Sequence, residues 1–145
     1  PSVRAMSDGD RLIREAGDWA ALVPGLLVSN LARSVDTYTR LFGFELGHVE
    51  PDRLAVCLHG GTQLILSQQP LEDAAVAGEP LAFGRGVTLN VRCEDPKAVY
   101  ERLRDEKYPI AVPMEIAELA DGDRRYTQSS FVVADPDGYV LRFSD

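Results

Sequence analysis

The chain has 145 residues, with 15 basic and 23 acidic side chains and a formal net charge of −8. That length suits one domain with a real core, or two small modules sharing one, and the acidic balance argues against a nucleic-acid partner, whose phosphates need a basic face. No membrane partner is expected either, because the longest apolar stretch, Ala20 to Val28, is broken by Pro24 and Gly25 and is far too short to span a bilayer.

The N-terminus lacks a basic region followed by an apolar one, so no signal peptide is expected. The two cysteines, Cys57 and Cys93, each sit in an apolar, strand-like run. Buried free thiols in a reducing cytoplasm are expected rather than a disulfide. With His48 and His59 as the only histidines, a His-rich metal or catalytic centre is already hard to build.

In chain order, residues 7 to 22 read as a helix or arm, with Leu12, Ile13, Ala16, Trp19 and Ala20 at helical spacing. Trp19 is expected to pack against the domain rather than to stack on a ligand. Leu26 to Val28 reads as a strand. An amphipathic helix follows, with Leu31, Val35, Tyr38, Leu41 and Phe42 on one face. Asn30 or Ser34 caps its start, and Gly43 ends it. Phe44 to Gly47, Leu54 to His59 and Thr62 to Ser67 read as strands, the last two joined by Gly60-Gly61, a hairpin signal. A loop rich in Pro, Gly, Ala and acid runs from Gln69 to Arg85.

The pattern then begins again. Val87 to Val91 alternates apolar residues with Thr88 and Asn90, as in a strand with one wet face. Asp95-Pro96 is a strong helix start, and Val99, Tyr100 and Leu103 form that helix's apolar stripe. Ile110 to Pro113, Thr127 to Ala134 and Tyr139 to Phe143 read as strands. Asp135, Asp137 and Gly138 belong to a tight turn that needs them for backbone geometry. The two halves repeat one β-α-β-β-β order. Val28 matches Val91 (91 − 28 = 63), Tyr38 matches Tyr100 and Leu41 matches Leu103 (each 62). An offset of that size is too long for a solenoid unit and builds one domain with internal pseudo-symmetry.

The stretch from Leu26 through Ser29-Asn30 and Tyr38 to Leu41-Phe42-Gly43-Phe44 resembles the opening of vicinal oxygen chelate proteins, the glyoxalase/bleomycin-resistance/dioxygenase family. The ending Phe131-Val-Val-Ala-Asp-Pro-Asp-Gly-Tyr-Val-Leu-Arg-Phe143 resembles their last hairpin. The resemblance covers residues 23 to 145. It implies an α+β fold of two tandem βαβββ modules, forming a half-open curved mixed sheet around a cleft with helices outside. Residues 1–22 would be an arm, 23–68 module one, 69–85 a linker and 86–145 module two.

Metal-dependent members place four ligands, usually His, Gln or Glu, on the inner surface. The resemblance puts those positions at Val23, Ile65, Gly86 and Arg142. Val and Ile have no lone pairs, Gly has no side chain and Arg is a fixed cation. No metal and no cofactor is therefore expected. The sequence is most similar to the metal-free, bleomycin-resistance-like branch, whose members sequester a drug and are typically homodimers. A small-molecule, antibiotic-like ligand and a homodimer are the expected partners. The alternative is a metal-dependent lyase, isomerase or extradiol dioxygenase with non-standard ligands.

Strand alternation and the resemblance together propose a cleft lining of Gln63, Ile65, Thr88, Asn90, Gln128, Ser130, Val140 and Arg142, with Leu27, Ser67 and Val132 beside them. The facing of Cys57 and His59 stays open at this point. Tyr126, with Arg124 and Arg125, lines the cleft mouth or lies in a solvated loop. The net charge suits a cationic ligand, whereas Arg142 suits an anionic or carbonyl group.

Overall fold

The structure, a computed structural model, describes residues 19–68 and 82–145. The expected helix over residues 7 to 22, with Leu12 and Ile13, therefore lies outside the described residues except for its last four positions. So does most of the linker. The chain divides into two compact units: one runs up to Thr39 and resumes over Phe44–Ala82, and the other holds Arg40–Gly43 with Phe83–Asp145.

The first unit carries strand β1 (Gly25–Leu27), helix α1 (Leu31–Asp36), and strands β2 (Glu45–Glu50), β3 (Leu54–His59) and β4 (Thr62–Ser67). Asn30 caps α1 as expected, its side chain accepting from Arg33 N at 3.0 Å. The helix then widens into a π-turn over Thr37–Leu41. The hydroxyls of Thr37 and Thr39 bond back to the carbonyls of Arg33 and Val35, at 2.9 and 2.6 Å. Such side-chain bonds compete for the carbonyls that the helix would otherwise use. Gly43, at φ +85, ends the element.

The sheet order is β1-β4-β3-β2, with β1 parallel to β4 and the others antiparallel. In this unit Leu26, Val28, Leu31, Tyr38, Phe44, Ala55, Cys57, Leu64 and Leu66 are buried.

The second unit repeats this order in β5 (Thr88–Arg92), α2 (Pro96–Asp105), β6 (Val112–Asp121), β7 (Arg124–Ala134) and β8 (Val140–Ser144). Its sheet runs β5-β8-β7-β6, again with first and last strands parallel. Val28 and Val91 thus follow or lie in equivalent strands, which is the structural form of the sequence repeat. Asp95 caps α2 through Ala98 N at 3.1 Å, with Pro96 at the first position. The core stacks Phe131 on Phe143 at 5.3 Å and sets Phe42 edge-on to Phe143 at 5.6 Å, with Leu103, Val133 and Leu141 fully buried. Arg102 Nε donates to Leu41 O at 3.1 Å within the same unit.

The main departure from the expected elements is the β6–β7 hairpin. Residues 114–126 carry no strand signal, yet both strands run through them to an Asp121-Gly122-Asp123 turn. Ala and Glu are poor strand formers, and neither face of this hairpin's outer part is buried, so no alternation marks it.

The turn before β8 depends on one buried carboxylate. Asp135 Oδ1 accepts from Asp137 N and from Tyr139 N, each at 2.9 Å. Gly84 packs so closely on this turn that a Cβ there would lie 2.5 Å from the Gly138 carbonyl carbon. Asp135→Ala strands two amide donors in a dry site, and urea titration should show a loss of about 1–3 kcal/mol. Ser34 behaves oppositely. Its hydroxyl is buried and finds no hydrogen-bond partner among the described residues, so Ser34→Ala should leave the midpoint unchanged or raise it slightly.

Candidate ligand-binding face

Period-two alternation decides which side chains are available. In the first unit Ala55, Cys57 and His59 turn toward the helix side, where the His59 ring lies 5.2 Å from Phe44. Leu54, Val56 and Leu58 take the opposite face, in register with Ser67, Ile65 and Gln63 on β4. Cys57 and His59 therefore do not share a face with the proposed lining residues.

The opposite face is not open in its apolar part. Leu54, Val56 and Ile65 form a buried cluster, with Trp19, Val23 and Leu58 packed against it. Gln63 Oε1 accepts from Ala20 N at 2.6 Å. Two proposed lining residues, Gln63 and Ile65, are thus held by residues 19–23 of their own chain. Trp19 packs against the domain, as expected of it.

In the second unit α2 covers the face bearing Val91, Leu141, Phe143, Phe131 and Val133. The other face carries Thr88, Asn90 and Arg92 on β5. Val140, Arg142 and Ser144 lie on β8, and Val132, Ser130 and Gln128 on β7. All six second-module lining residues proposed from the sequence share this face. Asn90 lies beside Arg142, and Arg142 beside Val132, in one cross-strand row. Arg142 Nη1 donates to Ser130 Oγ at 3.1 Å.

Where β5 and β8 end and the long hairpin continues, the face opens into a cavity of about 550 Å³. Asn90 and Arg92 line it from β5. Ser144 and Asp145 line it from the end of β8, and Asp121, Arg124, Tyr126, Thr127 and Gln128 from the hairpin. The Arg124 guanidinium stands 6.0 Å from the Tyr126 ring centroid. Asp145 Oδ1 accepts from Ser129 N at 2.8 Å. Among the described residues, the side chains of Asn90, Arg92 and Gln128 make no hydrogen bond or ion pair.

Of the lining residues proposed from sequence, Asn90 and Gln128 line this cavity, and so do Tyr126 and Arg124, which the sequence left between the cleft mouth and a solvated loop. Thr88, Ser130, Val140 and Arg142 stand on the same sheet face outside it. Arg92 was missed because β5 runs one residue beyond Val91; alternation from Asn90 would have found it. Asp121 carried no signal in the sequence.

The donor set does not fit a divalent cation at the positions the resemblance assigns. Val23 and Ile65 belong to the apolar cluster. Gly86 has no side chain, and Arg142 is a cation already bonded to Ser130. Among the described residues no group of three or more His, Cys, Asp or Glu side chains is placed to hold a metal ion.

The Glyoxalase/Bleomycin resistance protein/Dioxygenase superfamily model matches residues 18–143. No curated protein matches the chain. Among solved structures, TioX from Micromonospora sp. ML1 is similar at 21% identity and TM-score 0.64, over 88% of this chain and 98% of that one. An integron cassette protein from the mobile metagenome of V. cholerae is similar at 14% and 0.63, over 88% and 94%. Lactoylglutathione lyase from Agrobacterium tumefaciens is similar at 16% and 0.57, over 86% and 92%. At these identities the likeness establishes the fold.

Burial pushes the Cys57 thiol up to about 12 from an ordinary 9.0. The ionised thiolate is the disfavoured form in the fold, so the unfolded chain loses its proton first. Stability linked to Cys57 is intact below about pH 9 and falls as pH rises toward 12. Thermal melts across that window should show a flatter decline for Cys57→Ala than for the parent. Trp19 is the only tryptophan. Trp19→Ala should lower stability by roughly 1–3 kcal/mol by uncovering the Leu54–Val56–Ile65 cluster.

Proposed function

We propose, starting from the fact that the chain belongs to the Glyoxalase/Bleomycin resistance protein/Dioxygenase superfamily, that it binds an antibiotic-like small molecule without a metal ion and sequesters it rather than transforming it. The observation that carries this reading is the chemistry at Val23, Ile65, Gly86 and Arg142. Isomerisation, epimerisation and ring cleavage in this superfamily use a metal to polarise oxygen atoms, and these four residues offer no ligand for one. The binding surface is the face of the second sheet opposite α2. There Asn90, Arg92 and Gln128 present unengaged polar groups beside Tyr126, a mixture suited to orienting a small organic molecule.

A homodimer is part of the same reading. Strand β6 closes one end of its sheet, with β7 as its neighbour. Its ten residues end in a hairpin whose Ile116 is 74% exposed. A long exposed edge of this kind invites pairing or covering, and a two-fold partner would supply either.

Calorimetry of the purified chain against glycopeptide, planar aromatic and other antibiotics should show binding that is unchanged after exhaustive chelation. Elemental analysis should show no stoichiometric metal. Stoichiometric nickel, zinc, iron or manganese, with activity lost on its removal, would instead establish the metal-dependent enzyme. Sedimentation at micromolar concentration should give twice the 15.9 kDa of one chain. A monomer with and without ligand would end the dimer reading.

A further inference from the structure

We propose that the cavity where β5 and β8 end against the β6–β7 hairpin recognises a carboxylate on a flat aromatic ligand, with Arg92 and Arg124 binding the acid and Tyr126 flanking the ring. This names the ligand class of the binding face and rests on the preceding reading of that face. Two arginines line the cavity, Arg92 on β5 and Arg124 on the hairpin. Arg92 is in register with Ser144 and, through it, with Ser130 on β7, whereas Arg124 lies farther along β7 toward the hairpin turn; the cavity wall includes both. A planar guanidinium meets a carboxylate through two parallel hydrogen bonds, a geometry that an ammonium group cannot reproduce.

The remaining lining is mixed. Asn90 and Gln128 contribute amide donors from the same two strands. Of the two carboxylates in the wall, Asp145 already accepts from a backbone amide, Ser129 N. Asp121 stands opposite Arg124 in the hairpin register. Tyr126 is 45% exposed, leaving ring surface on which an aromatic ligand can lie. A third cation, Arg142, lies on the same face one strand in from Asn90 and is turned toward Ser130.

The test uses the full chain and four matched probes: 1-naphthoate, 1-naphthyl phosphate, 1-naphthamide and 1-naphthylmethylamine. Titrations are followed by NMR at the arginine Nε–Hε groups. Naphthoate should shift the Arg92 and Arg124 signals and bind at least 10-fold tighter than the amide, with the amine weaker still. Its affinity should fall as salt rises. The phosphate arm separates the two anions, and tighter binding of phosphate than of carboxylate would overturn the carboxylate assignment. R92Q and R124Q each should weaken naphthoate at least 10-fold while leaving naphthamide within 2-fold. Both sites are exposed, and melting curves establish that each variant folds. If the amide or amine binds as tightly as the acid, or if R92Q and R124Q leave naphthoate unchanged, the acid assignment fails while small-molecule binding at this face stands. If no probe shifts any residue of the second sheet, this inference fails, and the broader reading is then judged by the antibiotic panel alone.

Discussion

Pairing the first strand of each module with its last is the constraint on which the rest depends. β1 lies parallel to β4, and β5 parallel to β8. A parallel neighbour cannot be reached by a tight turn, so the chain must leave the sheet and return. The excursion carries a helix, which covers one face, and two further strands that complete the sheet; the other face is left to whatever the side chains there prefer. Asn30 and Asp95 start those helices with side-chain caps, and Asp135 closes the turn that returns β8 to the sheet centre. Once the strands are in register, alternation fixes which residues face away from the helix. The chemistry of the candidate face is therefore a consequence of backbone pairing.

That dependence explains what could be read from the chain. Features decided by a few neighbouring residues were legible: both capped helices, the Gly60-Gly61 hairpin, the Asp135–Gly138 turn and the repeat that ties Tyr38 to Tyr100. Alternation within short strands put Thr88, Asn90, Val140 and Arg142 on one face, and the family resemblance added Gln128 and Ser130. Features decided by distant partners were not legible. Gln63 lies on the expected face, but its acceptor is taken by Ala20 N, 43 residues earlier. The orientation of Cys57 and His59 required the register of β3 on β4, which no local pattern supplies. The outer β6–β7 hairpin buries neither face, so it lacks the apolar alternation by which strands are recognised, and it forms much of the cavity wall.

The two modules share a topology but not a chemistry. In the first, the face opposite the helix is apolar, and Trp19 and Val23 pack on it. In the second, the equivalent face carries Asn90, Arg92, Arg142, Ser130 and Gln128. A duplicated scaffold constrains its core positions strongly, because each must fill the space between helix and sheet. It constrains the other face only weakly. One such face could become a dry patch for the chain's own residues while the other stayed polar, with no change in strand order.

Overall charge and local charge point to different ligands, and distance decides between them. The chain carries −8, which alone would favour a cation. At physiological ionic strength, however, exposed charges separated by more than about 8 Å are largely screened from one another. A molecule seated in the cavity meets Arg92 and Arg124 directly, with Asp121 and Asp145 as the acidic side chains of the same wall. The excess acid sets solubility and slows the approach of an anion from a distance, an effect that weakens as salt is added. The arginines act only at contact, where a paired carboxylate exchanges water for two directed hydrogen bonds. Rising salt should therefore speed the encounter while weakening the contact, and a net loss of affinity would report that the contact term is the larger.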